Sequence, residues 1–232
     1  MPTTTKSRRK TITAPNGEDD AAPRMVQMAI PPPAFCTATF HITGTAPLVI
    51  CRFSEEAKQA IQATASDPAR GSKKKKKVVK PEEVFKAARY YHRDGWEGFH
   101  AAAIRNAMIS ACRLVNFKMT LAKLSVFVEP DGYDKNEPQI PLVQIHGAKP
   151  VLQTDHVRNK NSGQFSVAHR AAYHGWSADV KLRWDSDQFG IIDVLHLLMR
   201  AGAQVGIGCG RPDSKESAGM GWGLFSVAEP KK

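Results

Sequence analysis

Between residues 177 and 185 apolar and polar side chains alternate without a break. Ala178, Val180, Leu182 and Trp184 share one parity, and Asp179, Lys181 and Arg183 share the other. Successive side chains of an extended chain point to opposite sides, so this segment reads as a strand with one buried and one wet face. Such a strand belongs in an antiparallel sheet covered on one side only. The cover follows directly. Residues 189–201 place Ile191, Ile192, Val194, Leu195, Leu198 and Met199 on a broad apolar helical face. Gly202 then reads as the C-cap.

The rest of the chain fits the same class. Thr37, Thr39, Phe40, Ile42 and Thr43 predict a first strand from Phe35 to Gly44. A turn over 44–47 leads into the apolar run 48–51, and Ser54 caps an expected helix to residue 61. Pro81 opens a short helix to residue 90, and a stronger one spans 100–115, with Ala101, Ile104, Met108, Ala111, Cys112 and Val115 at helical spacing. Strands are expected over 124–128, 139–145 and 149–153, then two more over 164–184 around Gly175, and a last one near 223–227. Mixed strands and helices, without repeats or regular alternation, point to an α+β domain: an antiparallel sheet with helices on one face. Residues 1–34, with basic, acidic and triple-proline stretches, read as a tail. The domain then runs over 35–228, interrupted by a polar insertion at 64–80, and 229–232 form a second tail.

Charge narrows the partners. Lys and Arg number 33 against 22 Asp and Glu, a net charge of +11. That excess attracts polyanions, nucleic acid first and an anionic membrane surface second. No apolar run is long enough to span a bilayer, and the basic N-terminus lacks the apolar stretch of a secretory signal. Cys36, Cys51, Cys112 and Cys209 are widely and irregularly spaced, which fits reduced thiols in a cytoplasmic protein.

Three features could grip phosphates. The first is the segment 206–227, with Gly206, Gly208, Gly210, Gly219, Gly221 and Gly223 beside Arg211, Lys215 and Trp222. Glycine lets backbone N–H groups approach an anion, the cations pair with phosphate, and Trp222 is a candidate base-stacking platform. Its order of helix, glycines, strand is the reverse of a dinucleotide-binding fingerprint. The second is the run Lys73, Lys74, Lys75, Lys76 and Lys77, a phosphate clamp acting by counterion release. The third is a scatter of cations at Arg52, Arg105, Arg113, Arg158, Lys160, Arg170, Lys181 and Arg183, with Tyr90, Tyr91, Tyr173 and Trp176 as further platforms.

Catalytic patterns are scarce. The sequence lacks HExxH, GxSxG and paired-cysteine zinc spacing, and His169 and His174 are spaced poorly for a shared metal. No cofactor and no metal is expected. His41, in the first strand, is the one weak catalytic candidate, as a general base toward an RNA 2′-hydroxyl.

Two stretches carry a resemblance. "HITGTAPLVICRFSEEAKQ" with "PEEVFKAARYYHRDGWEGFHAAAIRNAMISACR", and the ending "LMRAGAQVGIGCGRP" with "GMGWGLFSV", resemble phage and prophage proteins of poorly defined function. The pattern is also similar to the RAMP superfamily, the repeat-associated subunits that form the RNA-binding backbone of CRISPR effector complexes. That resemblance implies a modified ferredoxin-like or RRM-like sheet, a glycine-rich C-terminal segment in contact with the nucleic-acid backbone, and the lysine loop as a variable insertion.

The expectation is therefore a non-enzymatic protein that binds single-stranded nucleic acid, RNA before DNA, in self-association or in a multi-subunit nucleoprotein complex. Two alternatives stand beside it. One is an endoribonuclease of the RAMP type. The other is a phage assembly subunit whose basic loop docks on a protein.

Overall fold

The computed structural model describes residues 30–52, 59, 62, 80–158, 163, 165–214 and 219–228. The chain divides into Met1–Pro32 and Pro33–Lys232, and all that follows concerns the second unit. Of the expected helix at 54–61 only Gln59, helical, is described, and of the insertion at 64–80 only Lys80; the rest lies outside the described residues.

A four-stranded antiparallel sheet organises the unit. Its strands are β1 (Phe35–Gly44), β5 (Val126–Glu129), β10 (Ser177–Asp185) and β11 (Phe225–Val227), arranged across the sheet as β11-β1-β10-β5. In chain order these are the fourth, first, third and second strands. The connection from β1 to β5 contains helix α2 (Ala102–Ala111). The connection from β10 to β11 contains helix α4 (Ile191–Arg200). Ile104 and Met108 of α2 and Val194 and Leu198 of α4 join Phe40, Ile42, Val180, Leu182 and Phe225 in one core. Removing each such side chain from water contributes roughly 1.5–3 kcal/mol, which fixes which parity of each strand faces inward. The structure is thus α+β with antiparallel strands, as the alternation predicts.

Two smaller sheets flank the first. One holds β2 (Leu48–Ile50), β9 (Phe165–Tyr173) and β8 (Pro150–Arg158), in the order β2-β9-β8. The other has the order β3-β4-β7-β6, from β3 (Tyr90–Tyr91), β4 (Glu97–His100), β7 (Pro141–Gln144) and β6 (Gly132–Tyr133). A bridge between His146 and Ser177, with hydrogen bonds of 2.8 and 3.0 Å, ties the segment after β7 to the start of β10. Two shorter helices are α1 (Pro81–Ala87) and α3 (Met119–Ser125).

The helix ending at residue 200 corrects one expectation. It does not stop at Gly202 but continues as a wider turn, Ala201–Val205, and ends at Gly206, which takes the positive φ of 74° that glycine tolerates. Gly202 serves close packing instead. A Cβ there would lie 2.3 Å from the Phe225 carbonyl oxygen, so its absence lets the helical segment press against β11.

Candidate nucleic-acid interface

The second face of the four-stranded sheet follows from the parity that builds the first. With Phe40, Ile42, Val180 and Leu182 turned inward, Phe35, Thr37, Thr39, His41 and Thr43 of β1 turn outward. The strand register sets Thr37 opposite Arg183, Thr39 opposite Lys181 and His41 opposite Asp179. On the far side of β10, Arg183 faces Phe127 and Lys181 faces Glu129.

Two aromatic rings stand on this face. Phe35 and Phe127 meet edge to face with centroids 6.0 Å apart, and Phe35 is 43% exposed. The Arg183 guanidinium lies 4.7 Å from the Phe35 centroid and 4.9 Å from that of Phe127. Arg105 approaches Phe127 from α2 at 5.3 Å. Glu129 partly offsets the cations, with its carboxylate 2.5 Å from the Lys181 ammonium and 3.7 Å from Arg183 Nε. Arg183 and Lys181 nevertheless keep 39% and 52% of their side chains in water. Toward the other end of the face, His41 Nδ1 lies 2.7 Å from Asp179 Oδ1, and His146 Nε2 lies 3.8 Å from the second oxygen of the same carboxylate. The bridge from His146 to Ser177 holds this second histidine in place.

Several expected cations are engaged elsewhere. The Arg52 side chain is 7% exposed and ion-paired to Asp134 and Glu137, at the junction between β2 and the loop after β6. Arg105 donates to the carbonyls of Val126, at 2.9 Å, and Lys123. Arg113 pairs with Asp213 and donates to the Ser110 carbonyl at 3.2 Å. Arg170 pairs with Asp155 at 2.9 Å. Arg211 donates to the Gly208 carbonyl at 2.9 Å. Lys73 to Lys77, Lys160 and Lys215 lie outside the described residues, as does the side chain of Arg158.

The glycine-rich segment is largely consumed by its own packing. A Cβ would meet the Trp222 carbonyl oxygen at 3.0 Å from Gly206, the Val49 carbonyl oxygen at 2.5 Å from Gly208, and the Trp222 ring at 2.3 Å from Gly210. At Gly223 it would meet the Ile207 carbonyl oxygen at 1.8 Å. The backbone N–H groups of Ile207, Cys209, Trp222 and Gly223 donate to the carbonyls of Gly223, Val49, Gly210 and Pro47. These donors are therefore already satisfied within the protein, and Trp222 is half-buried against Gly210. Gly219 and Gly221 differ: nothing crowds Gly221, and the nearest atom to a Cβ on Gly219 is 3.7 Å away.

The expected platforms Tyr173 and Trp176 are core residues, both fully buried. The Tyr173 hydroxyl donates to Glu97 at 2.5 Å and Trp176 Nε1 donates to the Ala46 carbonyl at 2.9 Å. Their size made them look like platforms, but the apolar area they bury is what places them inside. Tyr90 lies beneath Arg52, and Tyr91 sits between Arg89 and Lys135.

Phe35, Phe127 and His146 are residues that sequence reasoning missed. For Phe35 the signal was present, since it shares the parity of Thr37, Thr39 and His41, opposite to Phe40 and Ile42. Among the described residues no group of three or more His, Cys, Asp or Glu side chains is arranged to hold a metal ion, and no helix is long and apolar enough to cross a membrane. No protein-family model matches the sequence, and comparison with curated proteins finds no match either.

Proposed function

We propose that this protein binds single-stranded nucleic acid, RNA before DNA, across the open face of its four-stranded sheet. The observation that carries the reading is the group of Phe35, Phe127, Arg183 and Lys181, two rings and two cations on the sheet face turned away from the α2 and α4 core, with Phe35 and Lys181 exposed and Phe127 and Arg183 half-buried. Aromatic faces stack on bases regardless of sequence, and neighbouring cations track the phosphates. The strand order supports a ferredoxin-like or RRM-like sheet: fourth, first, third, second, with a helix in the first and last connections. Such sheets offer their uncovered face to unstacked bases. The resemblance to RAMP proteins belongs to the same proposal. The lysine run and the Gly219–Gly221 segment would extend the grip beyond the sheet.

A second reading, metal-free RNA cleavage, draws on the contact between His41 and Asp179. The contact of Nδ1 with the carboxylate orients the ring and leaves Nε2 to take a proton from a 2′-hydroxyl. In that case His41→Ala abolishes cleavage of bound RNA and leaves affinity intact.

Fluorescence anisotropy with labelled single-stranded RNA, single-stranded DNA and duplex DNA tests the main reading. We expect single strands to bind more tightly than duplex, with affinity falling steeply as salt rises. Absence of binding to all three at low salt would overturn it and favour a basic surface that docks on a protein.

A further inference from the structure

Two cysteines 158 positions apart in the chain meet at one edge of the fold. Cys51 follows β2 directly, and Cys209 lies in the glycine-rich segment beside it. The neighbourhood is built by backbone contacts. Cys209 N–H donates to the Val49 carbonyl at 2.8 Å, and the missing Cβ of Gly208 allows that approach. Both thiols line a cleft of about 400 Å³, together with Leu48, Ile50, Phe99 and Ile207. Cys51 is exposed and Cys209 is half-buried.

Their surroundings are unequal. The Cys209 thiol donates a hydrogen bond to the Cys51 sulfur, and, against the cost of burial, the charge and hydrogen bond of Arg170 act in the same direction. Together they hold the Cys51 thiol down to about 6. Cys209 is pushed the opposite way, by the hydrogen bond it gives to Cys51, by burial and by the Cys51 charge. The surroundings thus favour the thiolate at Cys51 and the protonated thiol at Cys209. This is the division of labour that a redox-active pair needs, since the thiolate is the nucleophile and the second thiol must be within reach to resolve it.

We propose that Cys51 and Cys209 form an oxidisable dithiol whose substrate is a hydroperoxide, with Cys51 the attacking and Cys209 the resolving thiol. In the first step the Cys51 thiolate attacks one peroxide oxygen. An S–O bond forms, the O–O bond breaks, and the departing hydroxide or alkoxide takes up a proton. Cys51 is now a sulfenic acid, oxidised by two electrons, and the peroxide is reduced. In the second step the Cys209 thiol attacks Cys51 Sγ. The S–S bond forms, the S–O bond breaks, and the departing hydroxide leaves as water with the proton released by Cys209. Two thiols and one hydroperoxide give a disulfide, water, and a second water or an alcohol; a dithiol reductant reverses the oxidation. The disulfide would tie β2 to the glycine-rich segment. This inference stands apart from nucleic-acid binding and does not rest on it.

The test uses the full-length reduced protein, treated with equimolar hydrogen peroxide at pH 7 and digested without reduction for mass spectrometry. We expect a peptide pair joined through Cys51 and Cys209, which dithiothreitol separates. In Cys209→Ser, with its fold checked by circular dichroism, dimedone should trap a sulfenic acid on Cys51 that the parent protein does not accumulate. Oxidation confined to Cys36, or a folded parent protein that yields no joined peptide, would overturn the proposal. Should Cys209→Ser fail to fold, the joined peptide in the parent protein decides alone.

Discussion

Arg52 carries a full charge where only 7% of its side chain meets water, because Asp134 and Glu137 both face it. Asp134 is fully enclosed and also accepts from the backbone N–H groups of Tyr91, Asn136 and Glu137, at 3.2, 2.8 and 2.9 Å. One carboxylate therefore fixes a loop, a strand and a buried cation. Removing one member of such a network strands the charges it satisfied. Asp134→Ala should lower unfolding free energy by about 3–5 kcal/mol in urea titrations; a loss under about 1 kcal/mol would mean that the loop readily finds other partners. A second expectation concerns Cys51. Only the thiolate reacts with iodoacetamide, so alkylation should be slow below pH 6, rise through a midpoint near 6 and level off above it. In Cys209→Ala the largest cause of the lowered value is gone, and the midpoint should move up. An unchanged midpoint would assign the effect to Arg170 alone.

Within the glycine-rich element, chemically identical residues do different jobs. Gly221 and Gly223 have nearly equal φ of 73° and 70°, so any side chain costs about 1–2 kcal/mol at either. Space separates them, since nothing lies within 4 Å of a Cβ on Gly221, whereas one on Gly223 would sit 1.8 Å from the Ile207 carbonyl oxygen. Gly221→Ala should therefore cost about 1–2 kcal/mol in thermal or urea unfolding. Gly223→Ala should cost at least about 3 kcal/mol, the backbone strain plus an overpacking term. Equal losses would show that the segment is loosely held. This contrast also marks what a sequence can disclose. The one-sided character of β10 was legible because alternation is a local pattern, and so were α2 and α4. Pairing was not legible. The sequence placed two strands around Gly175 without partners, and in the fold β9 pairs with β8 and β2 while β10 pairs with β1 and β5. Helix α3 was read partly as strand because Leu121 and Leu124 are 36% and 73% exposed and mark no buried stripe. Gly202 looked like a helix end because a missing Cβ serves turning and close packing alike.

Across the whole molecule the chain carries a net charge of +11, yet its described arginines are mostly occupied. The cations that the sequence suggested were real, but Arg52 and Arg113 each met a carboxylate from a distant part of the chain and Arg170 met one on the paired strand β8, which no local pattern reveals. Charge and stacking should then separate cleanly in binding experiments. Counterion release makes the slope of log affinity against log salt proportional to the phosphates neutralised, at about 0.7 per contact on single strands. Lys181→Ala should reduce that slope by about 0.7, and deletion of Lys73 to Lys77 should reduce it further. Phe127→Ala removes a ring but no charge. It should weaken RNA binding by about 1–3 kcal/mol and leave the slope unchanged. Arg52→Lys, which retains the charge in its enclosed site, should move neither quantity while the protein stays folded. If Phe127→Ala binds like the parent protein while the lysine deletion abolishes binding, the open sheet face is not the interface, and the grip belongs to the basic insertion alone.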